Sequence, residues 1–123
     1  MQDFRNLRVW KKAHTLALGA YVGAAYLSSV REFDLRRQTL RAATSVPSNN
    51  AEGCGREGDR ELRRFCRMAL GSASELEYHL LLARDLGFLP KPAYEKLATQ
   101  VVEVKRMLGG FIKRLTEGLT AEG

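Results

Sequence analysis

Two long segments of the chain repeat apolar residues alternately every four and every three positions. One segment runs from Asp59 to Gly87 and the other from Pro92 to about Thr116. This spacing places the apolar side chains along one helical face, and heptad-like seams of this kind are typical of packed helices. The seams are Leu62, Cys66, Ala69, Ala73, Leu76, Leu80 and Ala83, followed by Tyr94, Leu97, Val101, Val104, Leu108, Phe111 and Leu115.

Two further amphipathic segments precede the seams, and no alternation of the strand type competes with them. The pattern predicts four helices joined by short turns, at about 6–29, 34–54, 59–87 and 92–117. Asn6 and Asp34 stand where the caps of the first two helices are needed. The prediction is therefore an all-α, antiparallel up-down-up-down four-helix bundle, with residues 1–123 forming a single domain. The chain after about residue 117 is expected to fray.

The first predicted helix is apolar on more than one side. A helix of this kind needs two packing partners, so one face is expected to join the core and the other to meet a second chain. We expect Gly19 and Gly23 to allow that close approach, and we expect a homo-oligomer. The two stripes are Leu7, Trp10, His14, Ala17, Tyr21 and Ala24 on one side, and Val9, Ala13, Leu16, Ala20, Gly23 and Leu27 on the other.

The second predicted helix combines a stripe of small residues with a proline. Pro47 lies inside the stripe, where it removes one backbone hydrogen bond and is expected to kink the helix. Ser45, Ser48 and Asn49 have side chains able to bond the freed carbonyl groups. The stripe itself is Leu35, Thr39, Ala42, Val46, Asn49 and Gly53.

Arginines are concentrated on the second and third predicted helices, in a chain whose formal net charge is +6. A guanidinium fork holds two phosphate oxygens at once, so the pattern favours a polyanionic partner. The alternative is a solvated face partly neutralised by Glu57, Asp59 and Glu61. Phosphate contacts carry no base information, so binding to RNA or DNA is expected to be sequence-independent and sensitive to salt. The candidate nucleic-acid-binding residues are Arg36, Arg37, Arg41, Arg56, Arg60, Arg63, Arg64 and Arg67.

No pattern of residues predicts catalysis, a cofactor or a metal site. His14 and His79 lack cysteine or carboxylate partners at metal spacing, and His14 is expected to be a core or interface group. Cys54 and Cys66 match neither a disulfide framework nor a zinc motif and are expected to be free thiols. The N-terminal residues lack the apolar run of a secretion signal, and no segment has the length of a membrane span. We therefore expect a cytoplasmic, non-enzymatic protein without a membrane partner.

Three strings of residues resemble a known family. They are FRNLRVWKKA, LRRQTLRAATSVPSNNAEG and RRFCRMALGSASELEYHLLLARDLGFL, in that order. Together they are similar to the small four-helix-bundle proteins encoded in intervening sequences of bacterial 23S ribosomal RNA genes. The most specific element is S-x-P-S-N-x-A-E-G, reinforced downstream by Ala69, Gly71, Ser72, Glu75 and Leu76.

The resemblance implies a bundle that assembles into a homopentamer. It also implies kinship with the accessory variability determinant of diversity-generating retroelements, a basic pentameric bundle that binds RNA or DNA and docks with a reverse transcriptase. One position departs from the family pattern: Asn50 stands where such proteins usually carry an aliphatic residue. Either Asn50 faces a polar partner in this chain, or the local packing differs.

Two functional hypotheses follow. The first is a non-enzymatic oligomeric adaptor that binds nucleic acid through phosphate contacts and acts as an accessory to a reverse transcriptase. The second is a protein-interaction scaffold encoded in a ribosomal RNA intervening sequence, without a nucleic-acid function of its own, in which the same arginines meet acidic side chains of a partner.

Overall fold

The structure is a computed structural model that describes residues 2–122, with side chains described up to residue 120. Over this range the fold is all-α, with four α-helices and no strand. Three short 3-10 turns precede the second helix, at Phe4–Asn6, Ala24–Tyr26 and Val30–Glu32. The α-helices are α1 (Arg8–Gly23), α2 (Phe33–Gly55), α3 (Asp59–Asp85) and α4 (Lys91–Glu122).

The core lies between four helices that each pack against two others. Each helix contacts its neighbours in sequence, and α1 also contacts α4, which closes the bundle. All seven predicted seam residues of α3 are buried, as are five of the seven on α4, while Tyr94 and Phe111 are half-buried. The seams therefore form the core that their spacing predicts.

The first helix is shorter than predicted. The α-helix ends at Gly23, passes into the 3-10 turn, and does not reach residue 29. Ser29 instead starts the next turn, because its backbone N–H donates to the Glu32 carboxylate at 2.9 Å. The predicted caps are also wrong: Leu7 is the N-cap residue of α1 and Glu32 that of α2, so Asp34 lies in the first turn of α2.

The fourth helix is longer than predicted. It continues to Glu122 and does not end near residue 117. Thr116 and Thr120 lie in this last stretch, and their hydroxyl groups donate to the carbonyls of Ile112 and Thr116 at 2.8 and 2.9 Å. Both hydroxyl groups therefore have an acceptor within α4 itself, on the residue four positions earlier.

The second helix is continuous across Pro47. Asn49 Nδ2 donates to the Ser45 carbonyl at 2.8 Å and to Ser45 Oγ at 3.0 Å. Ser45 Oγ also lies 2.8 Å from Ser72 Oγ of α3. Two of the three predicted polar residues thus form hydrogen bonds beside the proline, whereas Ser48 is exposed. The carbonyl that Asn49 bonds is that of Ser45, and not that of Ala43, whose helical N–H donor Pro47 lacks.

The two faces of α1 do not have the packing partners that the sequence predicts. The stripe that runs from Val9 to Leu27 is buried in the core. Gly19 and Gly23 face α4 of the same chain, since a Cβ on Gly23 would lie 2.8 Å from Leu97 Cδ1. The prediction that these glycines admit a second chain is therefore wrong: they admit α4.

Candidate nucleic-acid interface

Three exposed arginines share the outward face of α3. Arg60, Arg64 and Arg67 follow one another at spacings of four and three, opposite the buried side chains of Leu62 and Cys66. Seven helical residues span about 10 Å, so the three guanidinium groups stand within two turns of each other. They form a short, strongly basic stripe in solvent.

Two arginines of this region are paired with carboxylates and with one aromatic ring. Arg64 Nε donates to Glu61 Oε2 at 2.8 Å, and this hydrogen bond lowers the pKa of Glu61. Arg56 Nη2 donates to Glu52 Oε2 at 3.1 Å. The guanidinium carbons of Arg64 and Arg56 lie 4.5 and 5.2 Å from the centre of the Phe65 ring. Both guanidinium groups are thereby held in place, because a cation over an aromatic face is attracted to it.

The remaining arginines of this group differ in their freedom. Arg63 Nη1 donates to Thr116 Oγ1 at 3.2 Å, which ties α3 to α4. Arg60 and Arg67 form no ion pair with any carboxylate whose side chain the structure describes. Carboxylates therefore neutralise only part of the positive charge of this face. Among residues 2–120, they pair with Arg56 and Arg64.

The arginines of α2 form a separate cluster. Ser45 meets Ser72 at 2.8 Å, and Asn50 lies opposite Cys66, with 3.8 Å between Oδ1 and Sγ. In this register Arg67 lies at the level of Asn50. Asn50 is nine residues, or about 13 Å, along α2 from Arg41, the nearest arginine of that helix. The structure thus divides the eight candidates into Arg56, Arg60, Arg63, Arg64 and Arg67 on one side and Arg36, Arg37 and Arg41 on the other. In the second cluster Arg37 Nη2 lies 3.7 Å from Asp34 Oδ1.

The chain segments around the α3 stripe meet at one end of the bundle, through the bonds Gln2 N–H to Cys54 O at 2.9 Å and Arg63 to Thr116 at 3.2 Å. Farther along, Lys105 of α4 lies 2.8 Å from Glu77 of α3, which marks the middle of the bundle. Residues 2–14, 40–77 and 103–122 lie on the near side of that pair, and they hold 14 of the 20 basic residues and ten of the 14 acidic residues. We call this half of the molecule the basic end. The other half holds six basic and four acidic residues, so it is also positive by the same count.

Sequence analysis missed three arginines of the basic end. Arg8, Arg106 and Arg114 come from the start of α1 and the second half of α4, and they line one cavity. Nothing in their local sequence marks them as a group. The signal that finds them is the predicted bundle itself, because the start of a first helix and the end of a fourth lie together in an antiparallel arrangement.

An apolar surface covers the outward side of α1 and the connection to α2. We call it the α1 apolar surface, and its most exposed member is Val30, at 94%. Large exposed apolar patches mark interaction sites. Its members are Leu18, Tyr21, Val22, Tyr26, Val30 and Phe33.

The two histidines have different surroundings. His14 is exposed and stacks on Trp10, with ring centres 4.9 Å apart, so it is not a core group of this chain, and its role in an interface stays a prediction. His79 is buried, with Nε2 at 3.8 Å from Glu75 Oε2, and its Nδ1 has no hydrogen-bond partner among the described residues. Those same residues include no group of three or more potential ligands close enough to hold a metal ion.

Both cysteines are free, as predicted, and both are buried. Burial raises the pKa of the Cys66 thiol to about 12 and also raises the pKa of Cys54. A thiolate is the reactive form of cysteine, so neither thiol is activated. None of the described helices is long and apolar enough to cross a membrane.

Comparison with known proteins gives a family and a fold. The family model of the 23S rRNA-intervening sequence protein matches residues 5–110. A solved structure from Bacteroides thetaiotaomicron VPI-5482, described as a protein with unknown function from the S23 ribosomal protein family, is 24% identical with a TM-score of 0.80. The alignment covers 85% of this chain and 98% of that one. No curated protein matches the chain.

Proposed function

This chain belongs to the 23S rRNA-intervening sequence protein family, and within that family we propose that it is a non-enzymatic oligomeric adaptor that binds RNA or DNA. Binding takes place through phosphate contacts made by the exposed arginines of α3, with those of α2 as a second cluster. The observation that carries this proposal is the exposed α3 stripe, in which Arg60 and Arg67 have no carboxylate partner among the described side chains.

The chemistry of the stripe suits a nucleic-acid backbone. The guanidinium groups of Arg60 and Arg67 can each hold two oxygens of one phosphate. Arg64 lies between them, but its Nε and Nη2 donate to Glu61 at 2.8 and 3.3 Å, so it contributes mainly its charge. The second cluster, at Arg36, Arg37 and Arg41, supplies a further contact about 13 Å or more away along the bundle.

Assembly strengthens this binding. We place the protein in the cytoplasm as a homopentamer of antiparallel up-down-up-down bundles, joined through the α1 apolar surface. Repetition of a weak phosphate site around a closed assembly raises the overall affinity without a new contact. The resemblance to the retroelement accessory protein supports a reverse transcriptase as protein partner.

Charge reversal at two places tests the proposal. The variant Arg60→Glu/Arg67→Glu is compared with Lys91→Glu/Lys96→Glu, which makes the same change in net charge at exposed positions outside both arginine clusters. Fluorescence anisotropy follows binding to unrelated RNA and DNA oligonucleotides across a salt series. We expect the α3 variant to lose most of its affinity and about two units of salt slope, since each phosphate contact contributes about 0.9.

Two results contradict the proposal. Absence of binding by the unmodified protein at low salt removes the nucleic-acid function. Equal losses in the two variants remove the assignment to the α3 stripe, because they would show that net charge alone governs the attraction.

The second candidate function is a protein-interaction scaffold without a nucleic-acid role. The α1 apolar surface favours it, because six large exposed apolar side chains suit a protein partner better than a phosphate backbone. In that function the α3 arginines meet acidic side chains. Genomic neighbourhood distinguishes the candidates: a reverse transcriptase with variable and template repeats favours the adaptor, and a position within a ribosomal RNA gene favours the scaffold.

A further inference from the structure

A cavity of about 310 Å³ lies between the start of α1 and the second half of α4. Arg8, Arg106 and Arg114 line it together with the apolar side chains of Met107 and Phe111. Its volume is at the lower end of the range for small-molecule sites, which is roughly 300–1,000 Å³. It therefore fits a compact ligand that has both a charged and an apolar part.

The charge of this cavity is uncompensated. Arg8, Arg106 and Arg114 form no ion pair with any carboxylate whose side chain the structure describes. Glu103 also lines the cavity, but its Oε1 lies 3.2 Å from Lys12 Nζ, which offsets its charge. Guanidinium groups that converge on one space repel one another, and an anion bound among them relieves that repulsion.

The backbone adds to this preference for an anion. Leu7 is the N-cap residue of α1 and provides no side-chain cap, so the first N–H groups of the helix lack a side-chain acceptor there. The positive end of the α1 dipole faces the same region. The α1 terminus thus adds to the positive charge that the three arginines already bring to the cavity.

The apolar wall narrows the class of anion. Phe111 offers a ring on which a planar group can stack, and the Arg114 guanidinium lies 5.7 Å from the centre of that ring. Gly110, next to Phe111, has no side chain that would fill the cavity. The nearest atom to a Cβ at this position would be Arg114 Nη1, at 3.7 Å. Inorganic phosphate has no apolar part and would make no apolar contact with Phe111.

We propose that this cavity binds a mononucleotide-sized phosphate monoester, with its phosphate among Arg8, Arg106 and Arg114 and its base against Phe111. A monoester carries about −1.5 to −2 charges near neutral pH, against one for the diester of a nucleic-acid backbone, so three arginines favour it. Two sources present this chemistry: a free nucleotide and the terminal phosphate of a strand. The site is independent of the α3 stripe and uses none of its residues.

Isothermal titration calorimetry with adenosine monophosphate, adenosine and inorganic phosphate tests the proposal. We expect the monophosphate to bind, inorganic phosphate to bind at least tenfold more weakly, and adenosine not to bind. Arg106→Gln/Arg114→Gln should lower the affinity for the monophosphate at least tenfold. The matched control, Arg60→Gln/Arg67→Gln, removes the same charge from the α3 stripe and should leave the affinity for the monophosphate unchanged. Thermal unfolding establishes that both variants are folded.

Phe111→Leu separates the two parts of the site. It should weaken binding of the monophosphate while leaving that of inorganic phosphate unchanged. Oligonucleotides with a 5′-phosphate or a 5′-hydroxyl identify the source: a preference for the phosphate that depends on Arg106 and Arg114 indicates a strand terminus, and equal binding beside tight monophosphate binding indicates a free nucleotide. Both results support the site.

Three results overturn the inference: no binding of the monophosphate at millimolar concentration, equal binding of adenosine, or unchanged affinity in Arg106→Gln/Arg114→Gln. Such a failure is distinct from failure of the nucleic-acid function, because the latter is measured with polymers and with variants of Arg60 and Arg67.

Discussion

A Cβ built on Gly53 would stand 2.9 Å from the Cβ of Phe65. A Cβ essentially never approaches a non-bonded carbon so closely. At this level α2 and α3 can therefore pack only because position 53 has no side chain. The same Cβ would also lie 3.1 Å from Leu62 Cδ1 and 3.4 Å from the Leu62 carbonyl oxygen. The glycine of the S-x-P-S-N-x-A-E-G motif thus serves helix packing.

Gly53→Ala should therefore destabilise the protein. Overpacking a close helix contact costs about 1–3 kcal/mol, which urea denaturation measures as a lower midpoint. Gly71→Ala is the matched control, because a Cβ there meets nothing within 4 Å. Since alanine favours a helix over glycine, the control should stabilise by about 0.5–1 kcal/mol. Equal stability of the two variants would contradict the packing argument.

Asn50 and Asn49 should respond in opposite directions to the same substitution. Asn50 is fully buried, and its Nδ2 has no hydrogen-bond partner among the described residues. Asn50→Leu removes that amide and should stabilise the protein, since a buried unpaired polar group costs about 1–3 kcal/mol. Asn49→Leu loses both bonds to Ser45 and should destabilise by about 1 kcal/mol. A loss of stability in Asn50→Leu would show that its amide is satisfied in solution.

The thiol of Cys66 should make the stability depend on alkaline pH. Its pKa is raised to about 12 in the folded chain by burial, from an ordinary value of 9.0. The folded state therefore keeps its proton where the unfolded state loses it. This contribution is complete below the unfolded pKa near 9 and is lost as the pH rises toward the folded pKa near 12.

Urea denaturation at several pH values between 8 and 11 measures this effect. We expect the unfolding free energy to fall above pH 9, and to fall less steeply in Cys66→Ala. Thiol labelling provides a second readout: Cys66 should react at the rate of unfolding, because a buried neutral thiol is a poor nucleophile. Identical pH slopes in the two proteins would exclude Cys66 as the cause.

Val22→Glu should dissociate the proposed oligomer without unfolding the chain. Val22 is 76% exposed on the α1 apolar surface, so a carboxylate costs nothing in the monomer but loses its hydration in an interface. Val102→Glu is the control, since Val102 is 54% exposed on α4. Light scattering at micromolar concentration should show a smaller mass for the first variant alone. A monomeric unmodified protein would refute the proposed assembly.

Periodicity predicts those parts of this fold that depend on burial along a single helix. The seam from Leu62 to Ala83 is buried as predicted, because apolar spacing and burial express the same property. Spacing does not specify which helix faces which. Gly23 signals a close approach, yet only the folded register shows that the partner is Leu97 of α4. The grouping of Arg8 with Arg114 depends on the same register, and so does the separation of Arg41 from Arg67.

The placement of Arg60, Arg64 and Arg67 on one face of α3 makes the positive charge uneven around the bundle. A polyanion would attract that face most strongly before any contact forms, turning it toward itself. Orientation of this kind raises association rates and weakens steeply as ionic strength rises. Sequence composition reports a net charge of +6, but the folded chain converts that charge into a direction.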